Sequence, residues 1–284
     1  MGFLKSLLGQ KVPTLNSYSD IYDLAFDYIT NNKNKKDLIT ILKQAISLNK
    51  SIKSDDIFKL NSVASWLENF KEFDDVKVIC SRILKIDPKN YLSISLLLSA
   101  ALNLKDDQKQ IISICNQLLD SDYEAHIEVL QLTLQSNIPV IKNSIKNVAD
   151  TFSTVGYIFA NSKVIDKSKI AYEIAYKIDP TYFEAHHNIG ISLYYLKRYN
   201  EAMNSFMRDI EILESTSMNP VEKNQYLSRI FFNMGKALFR MNQILEARTY
   251  LEKSAKLEAH YEKPSDINKS VEELIAIIKN DPEL

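Results

Sequence analysis

The sequence predicts an all-α protein built from stacked antiparallel helical hairpins, and three observations carry that expectation. Glycine is scarce. The 284 residues include five glycines and seven prolines, where average usage gives about 20 and 14. Rossmann folds, phosphate loops and β-sandwiches need glycine at their turns, so each loses weight. Apolar residues recur at i, i+3, i+4 and i+7 almost everywhere, the spacing of helices with one buried stripe. Neighbouring stripes are joined by short polar turns, and the resulting helix pair recurs down the chain.

Composition narrows the function classes. A hydrophobic fraction of 45% and a charged fraction of 25% are those of a folded soluble chain. A formal net charge of −1 argues against a general nucleic-acid binder, so no nucleic-acid partner is expected. No window approaches the length of apolar run that a transmembrane helix needs. Cys80 and Cys115 lack CxxC spacing, which points to buried thiols in a reduced, cytoplasmic setting.

The elements follow in order. Residues 1–17 are read as an N-terminal tail or short amphipathic helix. Gly2 and Ser6 fit the M-G-x-x-x-[ST] acylation pattern, and Phe3, Leu4, Leu7 and Leu8 share a face. An ordinary tail is favoured over membrane contact through residues 1–10. Ile21, Leu24, Ala25, Tyr28 and Ile29 form one stripe. Leu38, Ile41, Leu42, Ala45 and Ile46 form the next, after the polar break NNKNKK. KIDP closes an apolar helix at 85–88 and again at 177–180, where proline cannot continue the preceding helix. Gly156, Gly190 and Gly235 fall in corresponding helical contexts. Glycine inside a helix costs roughly 1 kcal/mol against alanine, which is tolerated where two helices pack too closely for a side chain.

These residues carry a family resemblance. The segment Phe152, Val155, Gly156, Phe159, Ser168, Tyr172, Ala175 and Pro180 resembles a tetratricopeptide repeat. So does His186, Ile189, Gly190, Leu193, Tyr199, Ala202 and Phe206, followed by Phe231, Met234, Gly235, Leu238, Ala247 and Leu251. Residues 149–261 are the clear repeats, and STSMNPVEKNQ at 215–225 reads as an insertion that either lengthens two helices or forms a loop, and is a plausible hinge. Residues 18–148 are divergent hairpins. Within them, Leu60, Val63, Ala64, Leu67, Phe73, Val76, Cys80 and Pro88 keep the spacing, with alanine at the close contact. Residues 123–148 read as a short, degenerate repeat. Ser265, Ile267, Val271, Leu274 and Ile278 mark a capping helix in 262–284. The resemblance implies a right-handed α-solenoid with a concave face lined by the first helix of each repeat.

DPTYFEAHHNIG, 179–190, first suggests a metal site. His186, however, fills the large-side-chain slot held by Phe152 and Phe231 in the flanking repeats. His187 projects about 100° further round the helix, and zinc helices place histidines one turn apart. No metal, cofactor or catalytic residue is expected, and no Walker, G-x-S-x-G or Rossmann motif is present. The paired acids Asp74-Asp75 and Asp106-Asp107 read as turns and helix caps.

The expected function is a non-catalytic protein-interaction scaffold that takes a partner segment, acidic or aromatic in character, in its groove. A ligand-responsive regulatory receptor is the alternative, and a helical enzyme a further one. Counting turns from each glycine, the groove residues are Tyr157, His187, Asn188, Ile191, Tyr194 and Tyr195 in one stretch. Arg229, Phe232, Asn233, Lys236, Phe239 and Arg240 follow in the next repeat. The resemblance implies that Asn188 and Asn233 bind a peptide main chain. The resemblance to the type that grips a chaperone C-terminus is only partial, because Ser153, Tyr157 and Asn233 stand where that type has lysine, asparagine and arginine.

Overall fold

A computed structural model describes residues 12–31, 33–48, 51–133, 138–258 and 276. Among these residues it contains thirteen α-helices and no strand. The chain divides into two compact units, Met1–Gln135 and Ser136–Leu284. Apart from residue 276, the capping helix expected in 262–284 lies outside the described residues, as does the segment 1–10. No described helix is long and apolar enough to cross a membrane.

The first unit holds α1 (Tyr18–Thr30), α2 (Lys35–Ser47), α3 (Ser54–Asn69), α4 (Phe73–Leu84), α5 (Tyr91–Asn103), α6 (Gln108–Leu119) and α7 (Tyr123–Thr133). The first six pair as hairpins. Short polar side chains start several of them: Ser17, Asn34, Asn90 and Asp107 each accept a backbone N–H of the first turn. Ile21, Leu24, Ala25, Leu38, Ile41, Leu42 and Ala45 are buried in one core. Ile29 is not, being 39% exposed, because the stripe rotates off the core at the end of α1. The Arg82 guanidinium on α4 donates to the carbonyls of Ala45, Ile46 and Leu48 at 2.9–3.2 Å. It thereby satisfies the bare C-terminus of α2 in the preceding hairpin.

Cys80 and Cys115 lie fully buried on α4 and α6, unpaired. Burial pushes both thiols up to about 12, so they stay protonated and unreactive at neutral pH. The acids of the turns have structural work. Asp75 pairs with Lys43 at 3.1 Å, Asp106 with Lys77 at 2.7 Å, and Asp107 caps α6.

The second unit holds α8 (Ile138–Asn161), α9 (Ile165–Ile178), α10 (Phe183–Tyr195), α11 (Tyr199–Ser215), α12 (Pro220–Arg240) and α13 (Ile244–Glu258). They form three further hairpins, α8–α9, α10–α11 and α12–α13. Residues 138–148 run into 149–161 as a single helix, so 123–148 is not a hairpin of its own. The insertion at 215–225 lengthens α11 and α12 to 17 and 21 residues and leaves only 216–219 between them.

Each of the three glycines faces a large side chain on its partner helix. A Cβ on Gly156 would lie 2.8 Å from the Tyr172 ring, on Gly190 2.6 Å from Phe206, and on Gly235 2.7 Å from Leu251. The glycine therefore lets the two helices of a hairpin close onto each other.

Among the described residues, five of the six hairpins turn through one left-handed residue, a feature that helical periodicity does not reveal. Lys71, Lys105, Lys163, Lys197 and Asn242 all have φ near +60°. In each case this residue's N–H bonds a carbonyl three back and the next N–H bonds one five back, as in Lys197 to Tyr194 and Arg198 to Leu193. That is the Schellman termination, which glycine occupies most readily. Lysine accepts the left-handed conformation at a cost of roughly 1 kcal/mol. Lys197→Gly is accordingly expected to raise stability by about 0.5 kcal/mol, part of the relief being lost to a more flexible unfolded chain. A urea midpoint that falls instead would contradict this.

Candidate functional site

The second unit gathers five of the twelve expected groove residues on one surface of α10 and α12. Lys236 Nζ lies 4.8 Å from the centre of the Tyr194 ring, 5.2 Å from Phe232 and 6.0 Å from Tyr195. Arg240 Nε reaches Tyr194 Oη at a long 3.4 Å. Tyr194 in turn meets Tyr195 edge-on at 5.5 Å and Tyr199 at 5.6 Å. Helical spacing explains the grouping. Phe232, Lys236 and Arg240 stand one turn apart on α12, and Tyr194 and Tyr195 end α10 beside them.

The electrostatics are unbalanced. Burial, reinforced by the Arg240 charge, pulls Lys236 below the ordinary lysine value. Among the described residues no carboxylate pairs with Lys236 or Arg240. Cation–π attraction supplies about 0.5–1 kcal/mol per contact at such a site, and it does not neutralise the charge. Two cations framed by three rings make a surface suited to an anionic or aromatic group.

The remaining expected residues are placed differently. Tyr157, on α8, is 62% exposed. Arg229 is exposed with its guanidinium 6.0 Å from the Tyr226 ring. Ile191 and Phe239 are half-buried against the hydrophobic cores, and Asn188 is half-buried.

His187 is not at an open surface. It is 8% exposed and held between Phe183 and Phe206, with ring centres 5.7 and 5.6 Å away. Its Nδ1 lies 2.8 Å from Asp209 Oδ2, and its Nε2 lies 3.2 Å from Asn233 Nδ2. An amide donating to Nε2 fixes the neutral tautomer that carries its proton on Nδ1, facing the carboxylate. Asn233 is thus engaged beneath the surface by its own chain.

His186 packs against Tyr176 at 4.5 Å and puts its Nδ1 2.5 Å from Asp209 Oδ1. Adjacent helical side chains do not face each other, yet both imidazoles meet one carboxylate because Asp209 approaches from α11. At 2.5–2.8 Å each nitrogen bonds the carboxylate directly, leaving no space for an ion between them. Among the described residues no group of three or more His, Cys, Asp or Glu side chains has an arrangement that could hold a metal ion.

Asp209 was missed by the sequence reading. It is fully buried and stands 34 residues after Ala175, the interval that separates Gly190 from Gly156. Carrying the repeat register three residues past Phe206 finds an acid in the slot held by Ala175 in the preceding repeat.

A family model described as "Tetratricopeptide repeat" matches residues 228–261, covering most of α12 and all of α13. The fold is also that of a solved TPR protein, YrrB, described as having an unusual peptide-binding site. That similarity has a TM-score of 0.56 at 14% identity and covers 82% of this chain and 97% of YrrB. Residues 228–261 match a tetratricopeptide repeat, and the chain as a whole has a fold similar to that of tetratricopeptide-repeat proteins. A second similar structure is Acl4, described as the assembly chaperone of RpL4, with a TM-score of 0.53 at 10% identity over 94% of this chain and all of the other. At these identities the structural likeness speaks for the fold alone. No curated protein matches the sequence. Gly190 and Phe206 are the small and aromatic members of the α10–α11 hairpin, and the cation–aromatic surface belongs to the first helices of two successive hairpins.

Proposed function

We propose that this protein is a non-catalytic scaffold that captures a segment of a partner protein on the α10–α12 face. An acidic or aromatic group of that segment lies over Lys236 and Arg240, and the rings of Tyr194, Tyr195 and Phe232 supply buried area. The observation that carries the reading is the pair of cations among aromatic rings with no carboxylate partner among the described residues. Arginine and tyrosine are also residue types enriched in binding hot spots. The peptide-binding site named for YrrB and the assembly role named for Acl4 agree with a protein ligand.

Affinity purification with mass spectrometry tests it. Tyr194→Ala with Arg240→Ala is expected to weaken partner binding by about 2 kcal/mol, roughly thirty-fold. Helical content should not change, because both side chains lie outside the fully buried core. Retention of every partner by this variant would count against the proposal.

A further inference from the structure

The first unit contains a cavity of about 760 Å³ walled by α3, the start of α5 and α7. Its size is within the range that holds a small ligand or a few side chains. Two kinds of surface line it. One is apolar: Ile57, Phe58, Leu92 and Val129, with Phe58 70% and Val129 54% exposed. Phe58 continues outward into an aromatic strip, 6.2 Å from Tyr22, which stacks on Phe26 and Trp66. The other is anionic. Asp87 and Asp122 line the cavity, and no lysine or arginine does.

Both carboxylates are held in position. Ser93 Oγ donates to Asn61 Oδ1 at 2.7 Å, Asn61 Nδ2 to Asn90 Oδ1 at 3.1 Å, and Asn90 Nδ2 to Asp87 Oδ2 at 3.0 Å. Asp122 Oδ1 accepts the Tyr91 N–H at 2.8 Å. These contacts use one oxygen of each carboxylate and neutralise neither charge. Among the described residues neither acid has a cation partner. His126 lies against Tyr91 at 5.0 Å. Burial lowers its pKa against the opposing pull of Asp122, so the ring stays neutral and does not offset the acids at pH 7.

We infer that this cavity docks a segment of a partner protein that presents a basic side chain beside an apolar one. The cation enters between Asp87 and Asp122, and the apolar neighbour covers Phe58 and the Tyr22–Phe26 strip. Charge complementarity selects this occupant over an acidic peptide or a nucleic acid. The site shares no residue with the α10–α12 face and does not depend on that face's role.

A short fluorescein-labelled peptide alternating phenylalanine and arginine is the probe, with its glutamate-for-arginine counterpart as control. Binding to the full chain is read by fluorescence anisotropy. The arginine peptide is expected to bind at least about ten-fold tighter than the glutamate one. Asp87→Asn with Asp122→Asn is expected to weaken it about ten-fold, while asparagine keeps the acceptors for Asn90 and the Tyr91 N–H. The same charge change elsewhere, Asp166→Asn with Glu246→Gln, should leave binding unchanged, as should Lys236→Ala with Arg240→Ala. Phe58→Ala should weaken the probe without altering the circular dichroism spectrum. Equal affinity for both peptides overturns the inference, as does an unaffected Asp87→Asn, Asp122→Asn variant. So does a concentration-dependent dimer in sedimentation that Phe58→Ala disperses, since a second copy would then fill the site.

Discussion

Asp209→Ala is expected to cost about 3 kcal/mol in the α10–α11 hairpin. The Asp209 carboxylate is fully buried and bonds both His186 and His187. Removing one partner of a buried polar network leaves the others desolvated and unpaired, typically a loss of 3–5 kcal/mol. Replacing the whole network by apolar groups costs far less, and the flanking repeat shows which groups suit the slots. Phe152 stands where His186 does, and Ala175 where Asp209 does. His186→Phe combined with Asp209→Ala should therefore recover about half the loss, His187 still lacking its acceptor. Native-state hydrogen exchange is the appropriate reading, because two units need not unfold as one. Protection should fall in α10 and α11 and stay unchanged in α1–α6. An Asp209→Ala protein with unaltered exchange would mean that the carboxylate does not hold the two imidazoles together.

Gly190→Val is expected to be about as damaging, near 3 kcal/mol. Even a single Cβ there meets Phe206 Cε1 at 2.6 Å and Cδ1 at 2.9 Å, and the Phe206 ring is fully buried. Overpacking of this kind costs roughly 1–3 kcal/mol, and a branched side chain lies at the upper end. Alanine at the same position should lose less, because its better helix propensity offsets about 1 kcal/mol. The first unit shows the compatible pair: Ala64 stands at the close contact and Cys80, smaller than phenylalanine, sixteen residues later. Gly190→Ala with Phe206→Leu should then cost less than the sum of the two single changes in a double-mutant cycle. Strict additivity would remove the close contact as the reason for the glycine.

Both results bear on how much the sequence disclosed. The hairpins and the close contacts were legible because helical periodicity and three spaced glycines report packing between neighbours in the chain. The left-handed lysines were not, since lysine carries no turn signature and only the repeat's geometry puts it at φ near +60°. Asp209 stayed hidden because the repeat positions read on the second helix end at Phe206, three residues before it. Counting within one helix sets His186 and His187 about 100° apart and does not disclose that a carboxylate arriving from α11 meets both. Tyr194, Tyr195, Phe232, Lys236 and Arg240 were reachable by counting turns, because a shared face depends only on spacing. The same count says which way the His187 side chain points but not that Phe183 and Phe206 pack over it.

The direct test of the proposed function is a photo-crosslinking phenylalanine analogue placed at Tyr195, which is 59% exposed beside Lys236. Exposed positions on second helices, Ile170 of α9 and Leu245 of α13, serve as controls in the same cells. The α10–α12 scaffold predicts discrete protein adducts from position 195 that Lys236→Ala with Arg240→Ala abolishes, and none from 170 or 245. Adducts of equal yield at all three positions, or adducts at 195 that survive loss of both cations, would contradict it.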